Sequence, residues 1–333
     1  IFLKLIQNST SVLPNTITFA RSGYGISFTT NTSVAGNFTG IANNMINVGN
    51  ATTSTYGIYA SSFNTVNLFH NTINVNTLSS SLASALYLIS PGANTRIVNN
   101  ILYNRGSGYA YYHNNTIYPT ESNYNNIYSA GLYVGYTGGT NHTTITTFRS
   151  STAREANSVS KTVIWTGTNN TFLGAMDALL RGSNSYNNTS VGNVNTDFNN
   201  ITRRIPPYMG AHELVPVANF TGGSIDSGCA GRTSVLSPTV AFTSAYPTPF
   251  TLTVAASNVR YQWTKGGIPI FDDGVRIFGS QTTTLTILNT NAFDEDNYAL
   301  NAIIKDGAAE FNFIDTLTYQ YAVFLRVNEP VVI

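Results

Sequence analysis

The chain has 333 residues, of which 9% are charged, and a formal net charge of +1. Clustered Lys and Arg, the mark of nucleic-acid or anionic-membrane contact, are absent, and no apolar run reaches the ~18 residues of a membrane span. Hydrophobic residues at 42% and aromatics at 12% are enough for a large core, which excludes a disordered chain. Asparagine (41 residues) and Ser plus Thr (75) take the places that helices fill with Ala, Glu and Lys. A helical enzyme is excluded on that ground.

In chain order, Ile1-Phe2-Leu3-Lys4-Leu5-Ile6 reads as an apolar strand of a mature chain or excised fragment, without a signal-peptide pattern. The stretch carries no visible polar cover, so either residues upstream are missing or another copy or partner is expected to pack there. Ile1, Phe2, Leu3, Leu5 and Ile6 are therefore a candidate assembly edge, since a flat unpaired strand edge templates association. Head-to-tail packing there is heterologous and propagates into a filament.

Repeats follow. Asn15-Thr16-Ile17, Asn44-Met45-Ile46, Asn71-Thr72-Ile73, Asn100-Ile101-Leu102 and Asn126-Ile127-Tyr128 recur at 29, 27, 29 and 26 residues. A second series interleaves: Gly25–Phe28, Gly57–Ala60, Ala85–Leu88, Gly108–Tyr111 and Gly131–Val134. Two ladders of one period, each with short alternating hydrophobic runs, predict a parallel β-helix. One coil cannot bury its own apolar face, and stacking the coils buries a continuous core. Asn15, Asn44, Asn71, Asn100 and Asn126 are expected to form a structural ladder, with amides bonded from coil to coil. Beyond about residue 140 the repeat fades. Residues 143–155 fit one short helix, and residues 195–213 read as a cap closing the coil.

Charge and asparagine content both change near residue 214. Ten Lys/Arg and five Asp/Glu precede that point, and six and ten follow it; 33 of the 41 asparagines precede it. Residues 215–238, rich in Gly, Pro and Ser, read as a linker. Its Cys229 is the single cysteine, so an internal disulfide and a cysteine zinc site are excluded. Cys229 is expected to be inert, with an intermolecular bridge as the alternative.

From 239 to 330 short strands alternate with regular turns. Trp263 falls mid-strand, and Tyr298 stands two residues before Leu300, where the second core cysteine of an immunoglobulin domain would lie. Leu252 or Val254 takes the place of the first. This segment resembles bacterial immunoglobulin-like domains. Asp294 and Asp296 are read as a turn leading into Tyr298 in preference to a calcium site.

The first segment also resembles a family. Tyr124–Ser129, Gly135-Tyr136, the Thr-rich 143–148, Ala156–Val159 and Tyr208–Glu213 are similar to bacterial right-handed parallel β-helix repeat proteins of the pectate-lyase-like superfamily. The nearest branch is the large secreted surface proteins that use the type IX export route. The likeness covers residues 15–213. The chain departs at Lys161–Ile164, where the branch often carries Asp-Pro, and at Asn199, where Asp is common. The resemblance implies an extracellular, bacterial cell-surface location. The expected fold class is all-β: a right-handed parallel β-helix (1–214) plus a C-terminal immunoglobulin-like β-sandwich (239–330).

Sugar cleavage by a β-helix requires paired carboxylates, or a base with a calcium held by several acidic oxygens. Residues 1–120 contain no Asp or Glu, and the segment to 213 offers only Glu121, Glu155, Asp177, Asp197 and Glu213. Asp197 and Glu213 are expected to pair with Arg203 or Arg204. His70, His113, His142 and His212 share no metal-ligand spacing. Ser158-Val159-Ser160-Lys161 matches a Ser-x-x-Lys pattern without its companion motifs. No catalytic, metal or cofactor-binding residue is assigned, and no cofactor is expected.

The chain is therefore expected to be a non-enzymatic structural or adhesive protein, a rod-like module of a surface fibre, filament or adhesin. Its expected partners are other copies of itself or neighbouring domains of a longer chain. Glycan binding is the alternative, with Tyr109, Tyr111, Tyr112, Tyr133 and Tyr136 as candidate contacts and surface polysaccharide as partner. A polysaccharide lyase or glycosidase is the third reading.

Overall fold

The computed structural model describes residues 2–4, 10–12, 15–19, 23–31, 39–49, 54–76, 83–92, 94–167, 171–184, 194–244, 250–252, 254–305 and 316–328. Ile1, Leu5 and Ile6 of the candidate edge lie outside them. The chain divides into two compact units, Ile1–Leu214 and Val215–Ile333.

Unit one is a parallel β-solenoid with three strands per coil. The first coil carries β1 (Phe2–Lys4), β2 (Thr10–Val12) and β3 (Thr16–Phe19). The second carries β4 (Gly23–Asn31), β5 (Thr39–Ala42) and β6 (Met45–Gly49). Then come β7 (Thr55–Phe63), β8 (Val66–Phe69) and β9 (Thr72–Asn76). The fourth set is β10 (Ala83–Pro91), β11 (Thr95–Val98) and β12 (Ile101–Asn104). The fifth is β13 (Tyr109–His113), β14 (Glu121–Asn123) and β15 (Asn126–Ser129). Last are β16 (Gly135–Thr137), the antiparallel β17 (Thr140–His142) and α1 (Ile145–Thr152).

Stacking gives one sheet ordered β1-β4-β7-β10-β13-β16-β17 and two five-stranded sheets, β14-β11-β8-β5-β2 and β15-β12-β9-β6-β3. The first of these is called the broad sheet below. Register aligns like with like. Ile17, Ile46, Ile73, Leu102 and Ile127 form one interior column, and Ile26, Ile58, Leu86 and Tyr111 another. A strand turns alternate side chains to opposite faces, so each inward column is buried by the coil above and below it. Small residues make room where the coils crowd. A Cβ on Gly57 would lie 2.2 Å from Ile73 Cγ2 and 2.7 Å from the Ala85 carbonyl oxygen.

At its last coil the core is closed by α1. Thr144 caps the helix through the Thr147 amide, and Phe148 packs 5.2 Å from the Tyr111 ring. Residues 195–213, read above as the closing cap, lie elsewhere, along the flank of the coils. Asn43 donates to the Thr196 carbonyl at 2.9 Å, the Ala211 amide to Thr72 Oγ1 at 2.8 Å, and the Gly210 amide to the Asn99 carbonyl at 2.7 Å. Those acceptors and donors sit on three successive coils, so the segment is a lateral brace. Sequence position after the repeat does not say which surface the chain returns to.

Unit two is built of antiparallel sheets, with one parallel pair. Its five-stranded sheet runs Ile225–Cys229, Thr316–Asn328, Asp296–Lys305, Val259–Lys265 and Ile268–Pro269, the first two strands being parallel. Trp263, fully buried, centres a core with Leu285, Ile287, Tyr298, Leu300 and Leu325. The expected linker 215–238 instead supplies strands Pro216–Thr221, Ile225–Cys229 and Ser234–Leu236. Cys229 is therefore a strand residue, exposed and with a free thiol. Gly and Ser are permissive in edge strands, and pairing with Thr316–Asn328 outweighs their weak propensity. Among the described residues no helix is long and apolar enough to cross a membrane.

Candidate functional site

Two features of the solenoid concentrate its chemistry: an internal amide ladder and an external face of tyrosines.

The ladder lies at the turn between the two five-stranded sheets. Asn43, His70, Asn99 and Tyr124 adopt positive φ there, from 52° to 60°. The residue after each is a rung. Asn15 Nδ2 donates to Asn44 Oδ1 at 2.9 Å, Asn44 to Asn71 at 2.9 Å, and Asn71 to Asn100 at 3.0 Å. The next rung is Asn125, which accepts from Asn100 Nδ2 at 3.0 Å. Asn126, expected in this role, pairs in register with Ile101 and exchanges hydrogen bonds with the backbone of Lys161. The adjacent asparagines at 125 and 126 fit the repeat almost equally well in sequence, and only register separates them. The ladder ends on Glu155, whose carboxylate accepts from Asn125, Ser122 and Ser158. Burial pushes that carboxyl up from its ordinary range, outweighing the donors that favour the ionised form.

The tyrosines cover the outer face of the broad sheet. Register places Tyr59, Tyr87, Tyr112 and Tyr136 in one column, with Ser27 in the same line. Tyr24, Tyr56, Ser84 and Tyr109 form a parallel column, and Tyr133 stacks beyond Tyr109 at 6.3 Å. The rings of Tyr87 and Tyr112 are 4.2 Å apart and 4° from parallel; those of Tyr112 and Tyr136 are 4.6 Å apart and 3° from parallel. Tyr109 donates from its hydroxyl to Asn141 Oδ1 at 2.7 Å. Burial and neighbouring phenols push Tyr87 and Tyr109 upward, so both rings carry neutral hydroxyls.

Of the five expected contact residues, Tyr109, Tyr112, Tyr133 and Tyr136 lie on this face. Tyr111 does not. It is 2% exposed, occupies the interior column below Leu86, and packs on Phe148. Aligning Gly108–Tyr111 with Ala85–Leu88 places Tyr109 opposite Leu86, whereas the paired strands place Tyr111 there. Tyr24, Tyr56, Tyr59 and Tyr87 belong to the face and were missed. Their signal was available in the second repeat series, where Tyr59 and Tyr87 share one position.

Stacking decides what this face can do. Rings nearly parallel at the coil spacing cover each other's π-faces, leaving edges and hydroxyls outward. Tyr24, 47% exposed, is the most open ring. Sugar stacking needs free ring faces, and the continuous column has few.

The remaining candidates have structural partners. Phe2 and Leu3 lie on β1, paired with Ser27 and Phe28 of β4. Glu213 faces Arg203 at 3.4 Å and Arg181 at 3.5 Å, and Asp197 accepts from the Asn199, Ile201 and Glu213 amides. Ser158 is bound to Glu155, while Lys161 pairs with Asp177 at 2.5 Å, so the Ser-x-x-Lys residues are held apart by different partners. Asp294 accepts from Arg276 at 2.5 Å and from the Asn291 amide, closing the turn before Tyr298. His142 Nε2 lies 2.6 Å from Thr137 Oγ1, and His70 Nε2 lies 3.0 Å from Asn99 Nδ2. Among the described residues no three His, Cys, Asp or Glu side chains gather as a metal-ligand set.

No family model matches the chain, and no curated protein matches it. Among solved structures, murine CRIg is similar over 34% of this chain and 98% of its own, at 11% identity and a TM-score of 0.20. A likeness that slight carries no argument about fold or function.

Proposed function

We propose that the chain is a non-enzymatic structural and adhesive module, a rigid segment of a bacterial extracellular fibre, filament or adhesin. The observation that carries this reading is the use of the acidic side chains in unit one. Glu155 ends the amide ladder, Glu213 and Asp197 hold the lateral brace, Asp177 pairs with Lys161, and Glu121 stands beside Arg96 of the neighbouring coil. Each is bound to a structural partner, and glycoside cleavage requires two carboxylates facing a substrate across a bond. The coils carry few charges and are held by side-chain ladders, which suits a stiff spacer.

Unit two is read as an immunoglobulin-like module. Support comes from Trp263 at the centre of its core and from the Tyr298 hydroxyl, which donates to the Asp294 carbonyl at 2.9 Å. A tyrosine bonded to backbone a few residues upstream is a recurrent corner of such domains. Fold alone does not assign a partner.

The test is electron microscopy of the purified chain with its mass in solution, beside incubation with a panel of neutral and uronic-acid polysaccharides. Ordered assemblies without turnover are expected. Turnover lost on neutralising one carboxylate would overturn the reading, and so would discrete monomers that attach to no cell surface.

A further inference from the structure

The continuous tyrosine column has a chemical property beyond packing. Tyr87, Tyr112 and Tyr136 each come from a different coil, are half-buried, and are stacked nearly parallel in successive pairs at 4.2 and 4.6 Å. Their register is set by paired backbone, Tyr87 with Tyr112 and Tyr112 with Tyr136. Two phenoxyl radicals formed on such neighbours meet without diffusion. The three side chains are partly exposed on the outer face of the broad sheet, where a one-electron oxidant reaches them.

We infer that this column is an oxidative cross-linking site, at which Tyr112 couples to Tyr87 or Tyr136 and staples adjacent coils covalently. The co-reactant is a peroxide acting through a haem peroxidase. Each of two phenols gives up one electron and its hydroxyl proton. The radicals join through ring carbons ortho to oxygen, and the two displaced ring protons return the oxygens to phenols. Two hydrogen atoms leave in total, and one hydrogen peroxide takes them up as two waters. Tyr111, adjacent in sequence to Tyr112 but buried beside Phe148, serves as the internal control. Nearby Tyr56 sits 4.3 Å from Tyr87 but tilted by 43°, a poorer alignment for coupling. The chemistry depends on ring geometry and not on the structural-module reading, so the two fail independently.

The experiment treats the dilute, full-length chain with hydrogen peroxide and a haem peroxidase, then maps tryptic fragments by tandem mass spectrometry. Arg96 and Arg105 separate Tyr87 from Tyr112, so that link joins two peptides, whereas Tyr112 and Tyr136 share one. The expected result is dityrosine fluorescence together with both links, each lighter by two hydrogens. Tyr112→Phe keeps the ring in the stack and is expected to lose both links, while Tyr133→Phe keeps them. Links only between molecules, links to Tyr111, or an unchanged pattern in Tyr112→Phe would overturn the assignment. Circular dichroism of each variant confirms that the sheets remain intact.

Discussion

Asn125 Nδ2 donates to Glu155 Oε2 at 3.1 Å, and this bond ends a ladder in which every amide donates toward the later coil. The aligned amides present their N–H ends to the carboxylate, as a helix N-terminus does to an anion. Glu155 thus stands where a negative group completes the row.

The middle of the ladder is the most sensitive to truncation. Asn71 accepts from the Asn44 amide and Nδ2, and donates to the Ile41 carbonyl at 2.8 Å and to Asn100. Asn71→Ala leaves these buried groups unpaired, and a loss of about 3 kcal/mol is expected in urea unfolding. Asn94→Ala, at an exposed position, is expected to stay within about 0.5 kcal/mol of the parent.

Glu155 predicts a pH dependence of defined sign. Burial raises its carboxyl above the ordinary 4.5, so the folded state holds the proton more tightly than the unfolded one. The resulting stability is full below the ordinary value and is lost as pH rises through the raised one. Asp197 and Glu213 are shifted upward by burial in the same direction. Glu155→Gln is expected to flatten the fall in stability above the ordinary carboxylate range without abolishing it. Thermal unfolding across a pH series measures the slope, and an unchanged slope would refute the assignment.

The lateral brace depends on Arg203. Its guanidinium donates to Asn43 Oδ1 at 2.7 Å, to the Gly210 carbonyl at 3.1 Å and to Glu213. Arg203→Met leaves the buried Glu213 carboxylate with Arg181 as its cation partner and removes the tie to Asn43, loosening the segment from the coils. A loss of about 3–5 kcal/mol is expected. Limited proteolysis checks the location: new cleavage is expected within residues 195–213 and not in α1.

Unit two offers a separate probe, because Trp165 lies in unit one and Trp263 in unit two. Tyr298→Phe removes the bond to the Asp294 carbonyl and is expected to weaken unit two by about 1 kcal/mol. With Trp165→Phe as background, fluorescence follows Trp263 alone and gives that unit's unfolding midpoint.

Much of this architecture was legible in the sequence because stacked coils repeat their constraints. An inward position must be apolar in every coil, and a rung must link its amide to the rungs of the neighbouring coils, so Ile17, Ile46, Ile73, Leu102 and Ile127 recur with the rungs Asn15, Asn44, Asn71 and Asn100. The all-β class, the solenoid and the change in construction near residue 214 follow from that periodicity and from composition. Tertiary structure decided what a period cannot. Backbone pairing set Tyr111 beside Leu86 in the interior column and Tyr112 beside Tyr87 on the outer face, since neighbouring residues of a strand point to opposite faces. The same pairing chose Asn125 over Asn126. Long-range hydrogen bonds laid residues 195–213 along the flank, and Thr316–Asn328 drew Ile225–Cys229 into a sheet. Local sequence sets what a residue tolerates; partners distant in the chain determine where it lies.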